Sequence, residues 1–187
     1  AGFSGAEYLF PYAFSADLIK QQHDAHGLTQ VLFNLPAGDW GKGERGIACH
    51  PDRVEEFRSG VDKAIEYAKV LGNTQVNCLA GIRPQGLQCP HVRKTFVDNL
   101  KFAADKLKAA GIRLVMEMIN TRDIPGFYLN TTQQALEIQA EVGSDNLFLQ
   151  YDIYHMQIME GDLARTMAAH LGEINHIQLA DNPGRNE

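Results

Sequence analysis

Short apolar runs alternate along this chain with longer stretches in which apolar residues return every three or four positions. The runs at residues 5–10, 30–35, 75–80, 113–119, 146–152 and 174–179 predict β-strands. The intervening stretches predict helices. Residues 16–26 form one, and 51–71 form another, with Val54, Phe57, Val61, Ile65, Ala68 and Leu71 on a single face. Further helices are predicted over 90–110, from Thr131 or Thr132 to Val142, and over 162–170. Pro51 suits a first helical turn, and Gly72, Gly111 and Gly143 suit helix ends.

Strands that alternate with helices predict a parallel sheet with right-handed crossovers. The strands are almost continuously apolar, as expected when both faces are covered. No Gly-x-Gly-x-x-Gly follows a strand and no Gly-x-x-x-x-Gly-Lys-Ser/Thr occurs, which removes the main support for a dinucleotide or P-loop fold. Polar groups at successive strand ends favour a barrel, whose sites collect at the C-terminal mouth. Six strands are found where a (β/α)8 TIM barrel has eight. The expectation is one domain over 1–187, an incomplete barrel of about six β/α units, with an open sheet as the alternative.

Three strand ends carry the candidate chemistry. Glu117 closes Leu114-Val115-Met116, Asp152 closes Leu149-Gln150-Tyr151, and Gln178 follows His176-Ile177. Oxygen donors of this kind suit a hard divalent cation, Mg²⁺ or Mn²⁺. A strand-end acid can instead cap the next helix. Three in succession, each flanked by apolar residues, favour a metal site, because burying an unpaired charge is costly. His155, three residues past Asp152, is a candidate donor to substrate, and His176 shares a strand face with Gln178. Asp123, in the polar loop beyond Glu117, and Arg185, beyond Gln178, are candidate substrate contacts, Arg185 for a carboxylate. The Gly-rich segment 34–46, with the only Trp, is a candidate lid or mouth-lining loop; Glu7, Tyr8 and Tyr12 are candidates to line the pocket.

Composition narrows the class. A chain of 187 residues that is 44% hydrophobic can bury a substantial core. A net charge of -6 without a basic block argues against a nucleic-acid partner. No apolar run is long enough to span a bilayer. Residues 1–5 have neither the charged nor the apolar region of a signal peptide, and three cysteines without zinc-finger spacing fit a reducing compartment, so a cytoplasmic location is expected. An open barrel also leaves two sheet edges that can pair with another copy, a homo-oligomer.

Several longer motifs add a resemblance. Tyr8-Leu9-Phe10-Pro11-Tyr12, Asn34-Leu35-Pro36-Ala37-Gly38-Asp39-Trp40, Gly43-Glu44-Arg45-Gly46-Ile47-Ala48-Cys49, Glu117-Met118-Ile119-Asn120, Tyr151-Asp152-Ile153-Tyr154-His155-Met156-Gln157 and Gln178-Leu179-Ala180-Asp181-Asn182-Pro183-Gly184-Arg185 together resemble the hydroxypyruvate isomerases of the xylose isomerase-like barrel superfamily. The resemblance implies a divalent metal held by Glu117, Asp152 and Gln178, with Glu117 also an acid/base catalyst. It further implies a second glutamate on an eighth strand, which would lie beyond residue 187, so the chain reads as a barrel truncated at both ends. The implied activity interconverts hydroxypyruvate and 2-hydroxy-3-oxopropanoate through an enediolate, in glyoxylate metabolism, with a small keto-acid as partner. The 2-oxotetronate isomerases share the layout, and a sugar epimerase or a non-catalytic metal- or sugar-acid-binding fragment are the alternatives. An endonuclease-like reading fits less well, since it needs a richer set of His, Asp and Glu.

Overall fold

The computed structural model describes residues 2–186. Six strands lie parallel and in chain order. β1 (Gly5–Glu7) pairs with β2 (Thr29–Leu32), and β3 (Gln75–Cys78), β4 (Arg113–Glu117), β5 (Leu147–Asp152) and β6 (Ile174–Gln178) form a four-stranded sheet. The two sheets meet where Asn34 bridges Asn77. There the Leu35 N–H donates to the Asn77 carbonyl at 2.8 Å, and the Asn77 N–H donates to the Phe33 carbonyl at 3.0 Å. An order without reversal is barrel winding; a doubly wound sheet reverses at its switch point.

Among the described residues no ladder joins β6 back to β1, so the barrel is not closed. Side chains span the gap instead. His176 Nε2 lies 2.7 Å from Glu7 Oε2, and the Gln178 amide donates to Glu7 Oε1. His176 Nδ1 lies 3.2 Å from the Gln75 amide on β3. The inward face of β6 is thus tied to β1 and β3 through polar contacts, while Ile177 and Leu179 remain exposed on its other side.

The helices are α1 (Ala16–His26), α2 (Val54–Leu71), α3 (Cys89–Ala109), α4 (Thr132–Val142), α5 (Ile153–Met159) and α6 (Leu163–Ala169). Ser15 caps α1 and Thr131 caps α4 through their hydroxyls, satisfying N–H groups that have no helical partner. α2 buries Phe57, Val61, Ala64, Ala68 and Leu71, and α3 buries Phe96, Leu100, Ala103 and Leu107. These faces cover the sheet around Val76, Leu114 and Leu149. Cys49 and Cys78 are buried in that core and Cys89 is exposed; all three are free thiols.

Most strands stop before the apolar runs that predict them. Leu79, Ala80, Met118 and Ile119 lie past the ladders yet are buried, because the loops at the strands' C-terminal ends fold inward and form part of the core. α5 is a helix that the apolar pattern does not predict. The segment 34–46, expected as a lid or mouth-lining loop, is fastened down. Trp40–Lys42 forms a 3-10 turn, the Arg45 guanidinium lies 4.3 Å over the Trp40 ring, and Glu44 pairs with Arg53. No helix is long and apolar enough to cross a membrane.

The same loop is stapled to the loop after β3. Gly46 bridges Ala80, and both Gly46 (φ 121°) and Gly81 (φ 102°) have positive φ. A Cβ on Gly46 would stand 2.7 Å from Gly81 N, so a side chain collides with backbone and not with a movable tip. Gly81→Ala is expected to cost about 1–3 kcal/mol, lowering Tm by roughly 2–4 °C per kcal/mol. Gly172→Ala, where a Cβ meets nothing within 4 Å, should leave Tm unchanged. Thermal melts of both variants check this; equal melting temperatures would remove the staple's role.

Candidate active site

Parallel strands bring like ends to one mouth, and four of the six strands end in a polar residue there. Glu7, Glu117, Asp152 and Gln178 are the last residues of β1, β4, β5 and β6. Register sets Glu117 against Gln150 and Asp152 against Gln178, so the acids are staggered on neighbouring strands.

Glu117, Asp152 and His155 are buried, and each presents a ligand-type atom within 4.8 Å of the others. His155 Nε2 lies 3.6 Å from Asp152 Oδ2 and 3.9 Å from Glu117 Oε1. Arg185, half exposed and in the left-handed backbone region, reaches in from the loop after β6. Its Nη2 lies 3.2 Å from Asp152 Oδ2, and its guanidinium stacks 4.7 Å over the Tyr154 ring.

Asp152 divides its two oxygens between two tasks. Oδ1 accepts from the N–H of Tyr154 at 2.8 Å and of His155 at 3.4 Å, capping α5. Oδ2 faces His155 and Arg185. The cap that the sequence offers as one reading of Asp152 is present, and it leaves the second oxygen facing the cluster. The cap also orients His155: α5 begins at Ile153, which places residue 155 in its first turn, over the mouth.

Glu117 is held from behind. Asn77 Nδ2 donates to Glu117 Oε2 at 2.9 Å and to Asn34 Oδ1 at 3.0 Å, chaining the loop after β2 to β3 and β4. Burial and then the Asp152 charge push the Glu117 pKa up to about 8; the Asn77 hydrogen bond and Arg185 only partly offset them. Burial pulls the His155 pKa down, against the opposing pull of Asp152. At Glu7 burial acts upward, but hydrogen bonds from His176 and Gln178 outweigh it and hold the carboxyl below its usual range.

The candidates do not all converge. Gln178 borders the site, with its oxygen accepting from Gln150 at 2.9 Å and its NH2 directed to Glu7. A cavity of 290 Å³ opens between Glu7, Asn34, Glu117, Gln150, Gln178 and Arg185. Asp123, expected as a substrate contact, is engaged elsewhere: its Oδ2 accepts from the Tyr154 hydroxyl at 2.8 Å and from Asn120 Nδ2 at 3.1 Å. Tyr12 donates its hydroxyl to the Asn34 carbonyl, supporting the loop and not lining this cavity. Asn77 and Gln150 are site neighbours that the apolar pattern obscures, although each is a buried amide inside a strand.

The donor set fits a divalent cation. Two buried carboxylates lie side by side with the half-exposed Arg185 guanidinium beside Asp152, and burial and then the Asp152 charge raise the Glu117 pKa.

A family model described as xylose isomerase-like TIM barrel matches residues 1–187. The chain belongs to that family. It is 50% identical over 186 residues to hydroxypyruvate isomerase of Escherichia coli, covering 100% of this chain and 72% of that protein. It is 44% identical over 186 residues to 2-oxo-tetronate isomerase of Cupriavidus necator, with the same coverage of each. A solved structure described as an AP endonuclease, family 2, from Brucella melitensis superposes with a TM-score of 0.94 at 43% identity, covering 97% of this chain and 70% of that one. These similarities span the whole of this chain in sequence and nearly all of it in structure.

Glu117 sets a pH dependence of the metal-free fold. With a folded pKa of about 8 against an ordinary 4.5, the native state keeps a proton that the unfolded chain has lost. Stability therefore falls as pH rises between those values. In the presence of a chelator, Tm should drop across this window, and Glu117→Gln should flatten the decline. Parallel profiles for the two proteins would show that Glu117 does not carry it.

Proposed function

We propose that the chain carries out metal-assisted aldose–ketose isomerisation of a short keto-acid, interconverting hydroxypyruvate and 2-hydroxy-3-oxopropanoate. The observation that carries this reading is the buried Glu117–Asp152–His155 cluster at adjacent strand ends, in a chain 50% identical along its length to a hydroxypyruvate isomerase. The related 2-oxo-tetronate isomerases extend the substrate range to homologous keto-acids.

The residues divide the work as follows. Glu117 and Asp152 would hold a divalent cation, Mg²⁺ or Mn²⁺, with Gln178 as a third oxygen donor. When bound, the cation would supply positive charge to offset the negative charge that develops in the reaction and would favour the ionised form of Glu117. Glu117 takes a proton from the hydroxymethyl carbon of hydroxypyruvate and a proton returns to the adjacent carbon, with an enediolate between, while the proton of the hydroxymethyl oxygen passes to the former carbonyl oxygen. His155 donates to a substrate oxygen on which negative charge develops. Arg185, a cation at the mouth, receives the substrate carboxylate. Asp123 steadies Asn120 and Tyr154 behind His155. We place this activity in a single barrel domain of a cytoplasmic enzyme.

A coupled assay with hydroxypyruvate and 2-oxotetronate, with Mg²⁺ or Mn²⁺ added, tests the reading. Glu117→Gln should reduce turnover by about 10²–10⁴-fold, the usual worth of one acid/base group. Asp152→Asn keeps an oxygen able to cap α5 but loses the charge. It should fold and yet lose the rise in Tm that Mn²⁺ gives the parent chain. A Mn²⁺-induced rise without turnover of either keto-acid would convert the reading to a binding domain; no rise and no turnover would end it.

A further inference from the structure

The contacts of the fully buried Asn120 side chain have determined directions. The Asp123 peptide N–H, which can only donate, reaches Asn120 Oδ1 at 2.8 Å. That fixes the oxygen end of the amide, so its other end is the NH2 group. This NH2 donates to Asp123 Oδ2 at 3.1 Å and lies 2.7 Å from His155 Nδ1. The peptide N–H of Asn120 points to the same ring nitrogen at 3.4 Å. Two donors therefore converge on Nδ1, which must offer its lone pair, and a neutral ring then carries its proton on Nε2.

We infer that Asn120 is a positioning residue that sets the tautomer of His155, so that Nε2–H and not a bare nitrogen faces the carboxylate-lined mouth. A bare Nε2 is a metal ligand; an Nε2–H is a hydrogen-bond donor. Asn120 thus excludes His155 from the ligand set despite its distance of 3.6 Å from Asp152 Oδ2. Asp123 anchors the device. Its carboxylate takes the second hydrogen of the Asn120 amide and the Tyr154 hydroxyl, and Tyr154 precedes His155 on α5.

One contact favours the other tautomer. Arg185 Nη2 can only donate and lies 3.3 Å from His155 Nε2. It is the longer contact, and the guanidinium is half exposed and also drawn by Asp152 Oδ2. The amide contact is shorter, and the backbone fixes its direction.

The inference stands on this geometry alone, so it holds or fails independently of the isomerase reading. Long-range ¹H–¹⁵N NMR on ¹⁵N-histidine-labelled chain distinguishes protonated from bare ring nitrogens, and His155→Gln identifies the His155 signals among the seven histidines. The expected parent spectrum has a protonated Nε2 and a bare Nδ1. Exchanging the functional groups, Asn120→Asp with Asp123→Asn, keeps both side-chain shapes but turns the Nδ1 partner into an acceptor, and should move the proton to Nδ1. A parent chain with its proton on Nδ1 overturns the inference, as does a folded exchange variant whose proton has not moved. Should the exchange variant not fold, the parent spectrum alone decides.

Discussion

Two carboxylates on neighbouring strands, turned to one point beneath the surface, set the terms for the rest of this molecule. Both are buried, and burial together with the Asp152 charge raises the cost of ionising Glu117. The fold pays for this pair locally. Asn77 gives Glu117 a neutral donor, the first turn of α5 gives Asp152 two peptide N–H groups, and Arg185 brings a positive charge from a loop. Burial and then the Asp152 charge outweigh these partners at Glu117, whose pKa stays raised. A protein that needed only stability would gain by replacing both acids with apolar residues. Keeping them makes sense where a cation completes the balance.

The parallel, in-order winding makes such a pair accessible. Every strand runs the same way, so a polar residue that ends one strand meets its counterpart on the next at the same mouth. The loops beyond are anchored to the core by buried Leu79, Ala80, Met118 and Ile119, and by the glycine-mediated staple between residues 46 and 81. The site consequently rests on firm backbone at β4 and β5. On the side of β6 and β1 it rests on the hydrogen bonds of Glu7 with His176 and Gln178.

The strand–helix alternation was legible because each buried strand is a short apolar run and each helix has a regular apolar face. Glu117 and Asp152 stood out because a charge at the end of such a run has no packing rationale. What pattern could not carry was direction. Asp123 and Arg185 are both exposed-type residues in polar loops, yet Asp123 turns to Asn120 and Tyr154 while Arg185 turns inward to Asp152. Residues 153–159 give little helical signal because the helix is only seven residues long and buries Tyr154, His155 and Met156 in succession. Asn77 and Gln150 were hidden for the opposite reason: single amides within apolar strands look like tolerated exceptions until a carboxylate is placed beside them.

Asp152 shows why structure and chemistry are hard to separate in such a site. Its Oδ1 starts the helix that carries His155, and its Oδ2 borders the point where His155 and Glu117 meet. Removing the side chain therefore removes a charge and frees the helix that aims the neighbouring imidazole. A substitution that keeps an oxygen but not the charge separates the two, since an amide can cap but attracts a cation less. Asn120 works in a parallel way from the other side, holding the same imidazole through Nδ1. His155 is thus aimed through its backbone by the Asp152 cap and held at Nδ1 by Asn120. A mouth assembled from strand ends gains its directional order from the first turn of one short helix and from one buried amide in the adjoining loop.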